Sequence, residues 1–236
     1  MANTYKYTEL FRSFQGEGTH TGKNTMWLRW FMCNLTCNGF GQKDPTDEST
    51  YELPYETIDI TDITALDQLP VFEFGCDSSY SWAKKYRHLA QDQTAQEIAD
   101  RLEECLRSDT NPDGKFLHPK SGEETHMCFT GGEPMLKHNQ EAIIDVMREF
   151  MGQRNIPPSV TIETNGTQDL NFDAGFVTMV DDYVDSYNGE LFWSVSPKLH
   201  NVSGETNEKA IKPEVVENYW DLSKNCLLYT SDAADE

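Results

Sequence analysis

The sequence predicts an α/β protein built on a parallel sheet, and two observations support that prediction. Strand-like and helix-like segments alternate along most of the 236 residues. Short strings rich in glycine, proline and polar residues follow the strand-like segments directly. Alternation of this kind favours a parallel sheet, whose chemistry lies at the carboxyl ends of its strands. The length suits one domain, or one domain carrying an insertion.

The regular elements follow from periodicity and end signals. Strands are predicted at 25–32, 126–130, 159–163 and 192–195, and helices at 94–107 and about 139–152. Thr94 and Glu97 form a capping box at the start of the first helix. Cys105 shares the apolar face of that helix with Leu102, so we expect it in the core.

Composition restricts the class of partner. The chain has 40 acidic and 19 basic residues, a formal charge of −21, and such a surface repels phosphate backbones. We therefore expect no nucleic-acid partner. No run of 18 apolar residues occurs and residues 1–6 hold no apolar signal region, so no membrane span and a cytoplasmic location are expected.

Two segments depart from the main pattern. Residues 38–75 hold nine acidic residues and one basic residue, Lys43, and are predicted to be a loop-rich acidic insertion in a domain spanning 1–225. Residues 226–236 read CLLYTSDAADE, which resembles the translation of a sequencing adapter. We expect this tail to be non-native, to pack poorly and to leave a substrate pocket open, with the natural end of the chain missing. A native flexible tail is the alternative.

Two cysteines follow the first predicted strand. Cys33 and Cys37 stand four residues apart, a spacing that lets two thiols on one loop ligate one metal centre. In a cytosolic chain, clustered cysteines indicate metal or catalysis rather than disulfides. The next position of the common C-x3-C-x2-C pattern holds Phe40. Cys76 and Cys128 remain as candidates for a third ligand, and Cys128 lies within a predicted strand, as a core residue would.

Five strings complete the pattern. They are SFQGEG at 13–18, CDSSY at 76–80, TGGEP at 130–134, ETNGT at 163–167 and SVSPK at 194–198. In this order, with Cys33 and Cys37, they resemble the 7-carboxy-7-deazaguanine synthases, a family of radical S-adenosylmethionine enzymes. The resemblance covers roughly residues 7–225, interrupted by the insertion. It implies an incomplete, open parallel (β/α) barrel of the radical S-adenosylmethionine type.

The resemblance also implies cofactors and site residues. It implies a [4Fe–4S] cluster held by Cys33, Cys37 and Cys76, so the ligand spacing becomes C-x3-C-x38-C, and Mg²⁺ held by Ser78. A loop of that length closes at small entropic cost. S-adenosylmethionine is implied at Asp77, Gly131, Gly132, Glu133, Thr164, Asn165, Ser194, Ser196 and Lys198. The substrate is implied at Phe14, Gln15, Gly16, Glu17, Arg29 and Thr130.

The chemistry of three of these side chains agrees with a pterin substrate. Gln15 and Glu17 offer hydrogen-bond donors and acceptors to the edge of a planar ring. Arg29, on an apolar strand, offers a planar fork to a carboxylate. Of the six histidines, only His200, after the SVSPK string, is kept as a possible site residue.

The implied reaction is that of a carbon–nitrogen lyase. It converts 6-carboxy-5,6,7,8-tetrahydropterin to 7-carboxy-7-deazaguanine with loss of ammonia, in the biosynthesis of queuosine or of modified DNA bases. The family also implies a homodimer and an electron donor such as flavodoxin. Two alternatives stay open: a radical S-adenosylmethionine activase that makes a glycyl radical on a protein, and a zinc-stabilised binding module using the same three cysteines.

Overall fold

The computed structural model describes residues 2–229. Within them the seven strands are β1 (Thr4–Phe14), β2 (Asn24–Trp30), β3 (Gln91–Thr94), β4 (His126–Gly131), β5 (Ser159–Thr164), β6 (Glu190–Val195) and β7 (Cys226–Leu228). The α-helices of the same residues are α1 (Pro54–Thr57), α2 (Ala95–Leu106), α3 (Lys137–Gln153), α4 (Phe176–Tyr187), α5 (His200–Ser203), α6 (Asn207–Ala210) and α7 (Pro213–Ser223). In this part of the chain, no helix has the length and apolar character needed to cross a bilayer.

All seven strands form one mixed sheet in the order β3-β1-β2-β4-β5-β6-β7. From β2 to β7 every neighbouring pair is parallel, whereas β1 pairs antiparallel with both β2 and β3. The predicted parallel sheet is therefore correct for its larger part, and the antiparallel edge was not predicted. The observed fold class is a mixed, mostly parallel α/β sheet.

The sheet carries its long helices on one face. The core joins alternate residues of β2, β4, β5 and β6 to the apolar faces of α2, α3, α4 and α7. Right-handed crossovers between successive parallel strands place each connecting helix on the same side of a sheet. The other residues of each strand, among them Arg29, Thr130 and Glu163, consequently point away from the helices.

Most predicted elements are found near their predicted limits. The capping box of α2 is present, because the Thr94 side chain accepts from the Glu97 amide and the Glu97 carboxylate accepts from the Thr94 amide. The expectation for Cys105 was wrong, since this residue is exposed. The buried face of α2 is rotated towards Ala99 and Glu103, which leaves Cys105 on its rim.

Residues 38–75, predicted to be an acidic insertion, form an ordered lobe that contains only one-turn helices. Its Tyr55 and Phe72 pack against Tyr86 in a small core shared with the segment that follows the lobe. The Tyr86 hydroxyl donates to the Tyr55 carbonyl oxygen at 2.6 Å. The lobe is thereby fixed to the 84–89 segment that leads into β3.

The tail was expected to pack poorly, and its first four residues pair with the edge of the sheet while Leu227 and Leu228 stay exposed. Cys226–Leu228 form β7, parallel to β6, and the Tyr229 amide donates to the Val195 carbonyl oxygen at 3.0 Å. The Tyr229 hydroxyl donates to Glu17 Oε1 at 2.5 Å. Unpaired backbone groups at the edge of β6 account for this pairing, because any extended segment can satisfy them. Residues 230–236 lie outside the described residues.

Candidate functional site

Three cysteines from two distant parts of the chain meet beyond the end of β2. Cys33, Cys37 and Cys76 belong to one cluster with Leu35, Phe40 and Ala210. Cys37 is 5% exposed and its φ angle is +51°, a left-handed conformation that is costly for a side chain other than glycine. The lobe between Cys37 and Cys76 therefore returns the chain to its starting point.

Burial sets the electrostatics of these thiols. Desolvation raises the pKa of Cys33 to about 12, with Glu133 adding to the effect, and it raises the pKa values of Cys37 and Cys76 as well. Lys198 opposes the shift at all three thiols. Lys198 thus supplies a positive charge common to the three cysteines, and it would stabilise their thiolate forms.

The glycine turn after β4 lies against the start of the cysteine loop. The Gly132 amide donates to the Trp30 carbonyl oxygen at 3.1 Å, and the Glu133 amide donates to that of Met32 at 2.8 Å. A Cβ atom on Gly132 would stand 2.2 Å from the Met32 carbonyl oxygen. Glycine is required here because the two backbones touch.

Glu133 ties this turn to the end of β5. Its carboxylate is fully buried and accepts hydrogen bonds from Thr164 Oγ1 at 2.6 Å and from the amides of Met135 and Asn165, both at 2.8 Å. Burial raises its pKa, and these hydrogen bonds act in the opposite direction. The hydrogen-bonding capacity of the Glu133 carboxylate is thus used by protein groups. These bonds position the loops around the cysteines.

The chemistry of the donor set fits an iron–sulfur cluster. Thiols are the ligands such a cluster takes; Cys37 is buried, Cys33 and Cys76 are partly buried, and metal binding would deprotonate all three despite their raised pKa values. The indole Nε1 of Trp82 is buried without a hydrogen-bond partner among the described residues, and it lowers the pKa of Cys76, so it faces that thiol. A sulfur carrying negative charge would satisfy this N–H group. Among residues 2–229, no group of three or more His, Cys, Asp or Glu side chains is placed to hold a metal ion.

A small polar pocket, lined among others by Gln15, Glu17 and Ser194, lies on the helix-free face of the sheet. Gln15 is 4% exposed, and its Nε2 donates to Glu163 Oε1 at 3.2 Å. Burial raises the pKa of Glu163; Gln15 and Thr130 lower it through hydrogen bonds, and the nearby Glu17 raises it. Glu163 thus contacts the pocket residue Gln15; it is the first residue of the ETNGT string but was not among the residues predicted for the site. Its place in β5, out of phase with the core residues Val160 and Ile162, was the available signal.

Arg29 lies near Glu163 and has a protein partner of its own. Its Nε donates to Glu9 Oε2 at 2.9 Å, and the same oxygen accepts from the Tyr80 hydroxyl at 3.0 Å. Burial lowers the pKa of Arg29, but its interactions with Tyr80 and Glu9 have the larger combined effect, so the net shift of the pKa is upward. The guanidinium is held in place and charged, with one of its nitrogen atoms committed to Glu9.

Ser78 does not suit the expected Mg²⁺ ion. Its hydroxyl accepts from Arg29 Nη1 at 3.3 Å and donates to Asp77 Oδ1 at 2.9 Å. A guanidinium at this distance repels a second cation. The resident positive charge at Ser78 is that of Arg29, and the residues around this hydroxyl do not fit Mg²⁺.

The other predicted residues divide into two groups. Thr164, Asn165, Ser194 and Ser196 are buried at the carboxyl ends of β5 and β6, and Asn165 Nδ2 donates to Asn34 Oδ1 at 3.1 Å. Phe14 is 71% exposed, and a Cβ atom on Gly16 would meet no atom within 4 Å, so neither residue packs into the pocket. His200 is half-buried, with Nδ1 bonded to the Glu205 carbonyl oxygen at 3.1 Å.

A buried histidine pair lies on the same face, and His20 lines the same pocket as Gln15 and Glu17. His20 stacks on His126 with ring centroids 4.2 Å apart, and His126 contacts Ser159 Oγ at 2.7 Å and Thr161 Oγ1 at 2.8 Å. Burial lowers the pKa of His20 to about 4 and that of His126 to about 3, and Lys23 contributes to both shifts. Both imidazoles are neutral in the folded protein at pH 7.

This pair predicts a loss of stability in mild acid. The unfolded chain binds these protons near pH 6.5, whereas the folded protein excludes them until about pH 4 and 3. The contribution of the two neutral histidines to the free energy of unfolding is complete above pH 6.5. Below that pH it falls by about 1.4 kcal/mol per pH unit for each histidine. We expect the free energy of unfolding, measured in urea, to be about 2–3 kcal/mol lower at pH 5.5 than at pH 7.5 from this source.

Two variants test the assignment. His126→Gln should show roughly half of this pH dependence, because one of the two depressed groups is gone. His88→Gln, at an exposed position, should keep the wild-type dependence. Equal pH dependence in wild type and His126→Gln would contradict the prediction.

Comparisons with known proteins find similarity only among solved structures. No protein-family model matches the chain, and neither does any curated protein. Among solved structures, the crystal structure of QueE from Escherichia coli is similar at 16% identity and a TM-score of 0.44, over 98% of this chain and 86% of that chain. A similarity this low carries no information about activity, which the residues and their geometry must indicate instead.

Proposed function

We propose that this chain is a radical S-adenosylmethionine enzyme that converts 6-carboxy-5,6,7,8-tetrahydropterin to 7-carboxy-7-deazaguanine, as its motifs imply. The observation that carries the proposal is the packing of Cys33, Cys37 and Cys76 in one partly buried cluster, with Lys198 as a nearby positive charge. The glycine turn at 131–132, which lies against the start of the cysteine loop, supports it. When bound, a [4Fe–4S] cluster with S-adenosylmethionine would supply the radical that takes hydrogen from the pterin.

The protein would contribute position and charge. Lys198 would balance the negative charge of the thiolates. Gln15, Glu17 and Glu163 would read the amide and amine groups of the pterin ring, since together they offer both donors and acceptors. Arg29, held by Glu9, would bind the substrate carboxylate. A pocket of this polarity favours a small-molecule substrate over the glycyl-radical activase alternative.

The fold proposal follows from the sheet. Helices on a single face and strands in sequential order from β4 to β7 are features of an incomplete (β/α) barrel. In that architecture the helix-free face is the inner wall of the barrel, and the cysteines stand at its carboxyl rim. An external electron donor, such as a flavodoxin, would reduce the cluster from that rim.

Anaerobic turnover tests the proposal. Protein reconstituted with iron and sulfide should become brown, contain iron, and cleave S-adenosylmethionine to 5′-deoxyadenosine once a reductant is added. With the carboxy-tetrahydropterin present, it should release ammonia and form the deazaguanine. Iron without pterin turnover would leave only the superfamily assignment, and zinc in place of iron would overturn both.

A further inference from the structure

The loop that carries Cys33 and Cys37 is held by a side chain from a distant part of the chain. Glu205 Oε1 accepts from the Thr36 amide at 2.6 Å and from the Cys37 amide at 2.9 Å. The Thr36 hydroxyl donates to the same oxygen at 3.1 Å. A single carboxylate oxygen thus satisfies two consecutive backbone N–H groups of the cysteine loop.

Glu205 is itself buried and fixed. It is 6% exposed, and its Oε2 accepts from Lys209 Nζ at 2.7 Å. The Ser203 hydroxyl accepts from its amide at 3.2 Å, and its carbonyl oxygen bonds His200. The carboxylate therefore cannot turn towards solvent without losing several hydrogen bonds, and in this arrangement it is charged.

The backbone around Glu205 interlocks with the same loop. The Gly39 amide donates to the Ser203 carbonyl oxygen at 2.9 Å, and a Cβ atom on Gly39 would stand 2.5 Å from the Gly204 nitrogen. Ala210, 1% exposed, packs in the cluster that holds the three cysteines. Residues 203–210 thus form the outer wall of the cysteine site.

We infer that Glu205 is a positioning residue for the cysteine loop and that its negative charge adjusts the redox behaviour of the centre the loop holds. The left-handed backbone at Cys37 explains why such a residue is needed, since that conformation persists only when its surroundings impose it. The hydrogen bonds from the Thr36 and Cys37 amides to the Glu205 carboxylate impose this conformation on Cys37. Because the carboxylate bonds the Cys37 amide directly, its charge lies close enough to act on the thiolates. The redox part of this inference rests on the proposed function, whereas the positioning part does not.

Hydrogen exchange of the cluster-free protein tests the positioning. Glu205→Ala should accelerate exchange in the segment 33–40, because the Thr36 and Cys37 amides lose their acceptor. Glu208→Gln, at an exposed position of α6, is the matched control and should exchange as wild type does. Unchanged exchange in Glu205→Ala would overturn the positioning role, whether or not the protein binds iron.

Iron retention and reduction potential test the second part. Glu205→Ala should hold iron about 10- to 100-fold less tightly than wild type, as outer-shell partners of metal ligands do. Glu205→Gln keeps an oxygen acceptor but loses the charge, so its potential should rise; Lys209→Gln removes the positive partner, so its potential should fall. Potentials equal to wild type in both would overturn the redox role. If the reconstituted wild-type protein binds no iron, the proposed function and the redox role are both refuted. Hydrogen exchange of the cluster-free protein would still decide the positioning role.

Discussion

Replacing Cys76 by serine is expected to abolish iron binding almost completely. The serine hydroxyl is a poor ligand for iron in a cluster site that selects soft thiolates. Two thiols alone would have to hold a centre that normally has three protein ligands. Anaerobic reconstitution followed by iron and sulfide analysis measures this directly, and Cys33→Ser and Cys37→Ser should behave in the same way.

Two matched variants make this result specific. Cys105→Ser, at an exposed position on α2, should retain wild-type iron. Cys128→Ser should also retain it, because the buried Cys128 thiol has Glu163 and Arg29 as neighbours. Loss of iron in Cys128→Ser together with full iron in Cys76→Ser would reverse the assignment of the third ligand.

Replacing Arg29 by alanine is expected to remove pterin turnover while sparing the cluster. Truncating one partner of a buried charged pair costs about 2–5 kcal/mol, which corresponds to about 30- to 5,000-fold in kcat/KM. Part of that cost is structural, because Glu9 would lose its charged partner and keep the hydrogen bond from Tyr80. Steady-state kinetics with the carboxy-tetrahydropterin, alongside iron analysis, separates loss of the substrate site from loss of the cluster.

Arg29→Lys separates charge from shape. Lysine keeps the charge beside Glu9 but loses the planar fork, so the fold should remain stable while KM rises. Reductant-driven cleavage of S-adenosylmethionine without pterin should continue in both variants. A wild-type kcat/KM in Arg29→Ala would refute the role of Arg29 in binding the substrate carboxylate. Loss of iron in Arg29→Lys would show that Arg29 has a structural role instead.

Periodicity and local chemistry determined much of the framework. The strands β2, β4, β5 and β6 are predicted because apolar runs end in glycine or polar strings, and the helix-start signal at Thr94 is local. The position of the glycine turn and the ETNGT string at strand ends also follows from sequence order. These features depend on residues a few positions apart, which a single sequence displays.

Partners that are distant in sequence could not be predicted in this way. No local pattern pairs Arg29 with Glu9, or links Glu205 to the Cys37 amide 168 residues away. The exposure of Cys105 depends on a rotation of α2 that its periodicity alone does not fix. The strand at Cys226–Leu228 forms because the edge of β6 offers unpaired backbone groups, not because its sequence alternates.

The sequence by itself therefore determined which residue types stand at the ends of the parallel strands, and hence the class of chemistry proposed. Only the tertiary structure decided how those strand ends are held. It places the thiols near Lys198, provides Glu133 with three protein donors, and sets the Glu205 carboxylate against the amides of the cysteine loop. The physical reason is that a buried charge must find partners wherever the packed chain brings them. Such partners are set by the fold as a whole, whereas strand ends and helix starts are set by neighbouring residues.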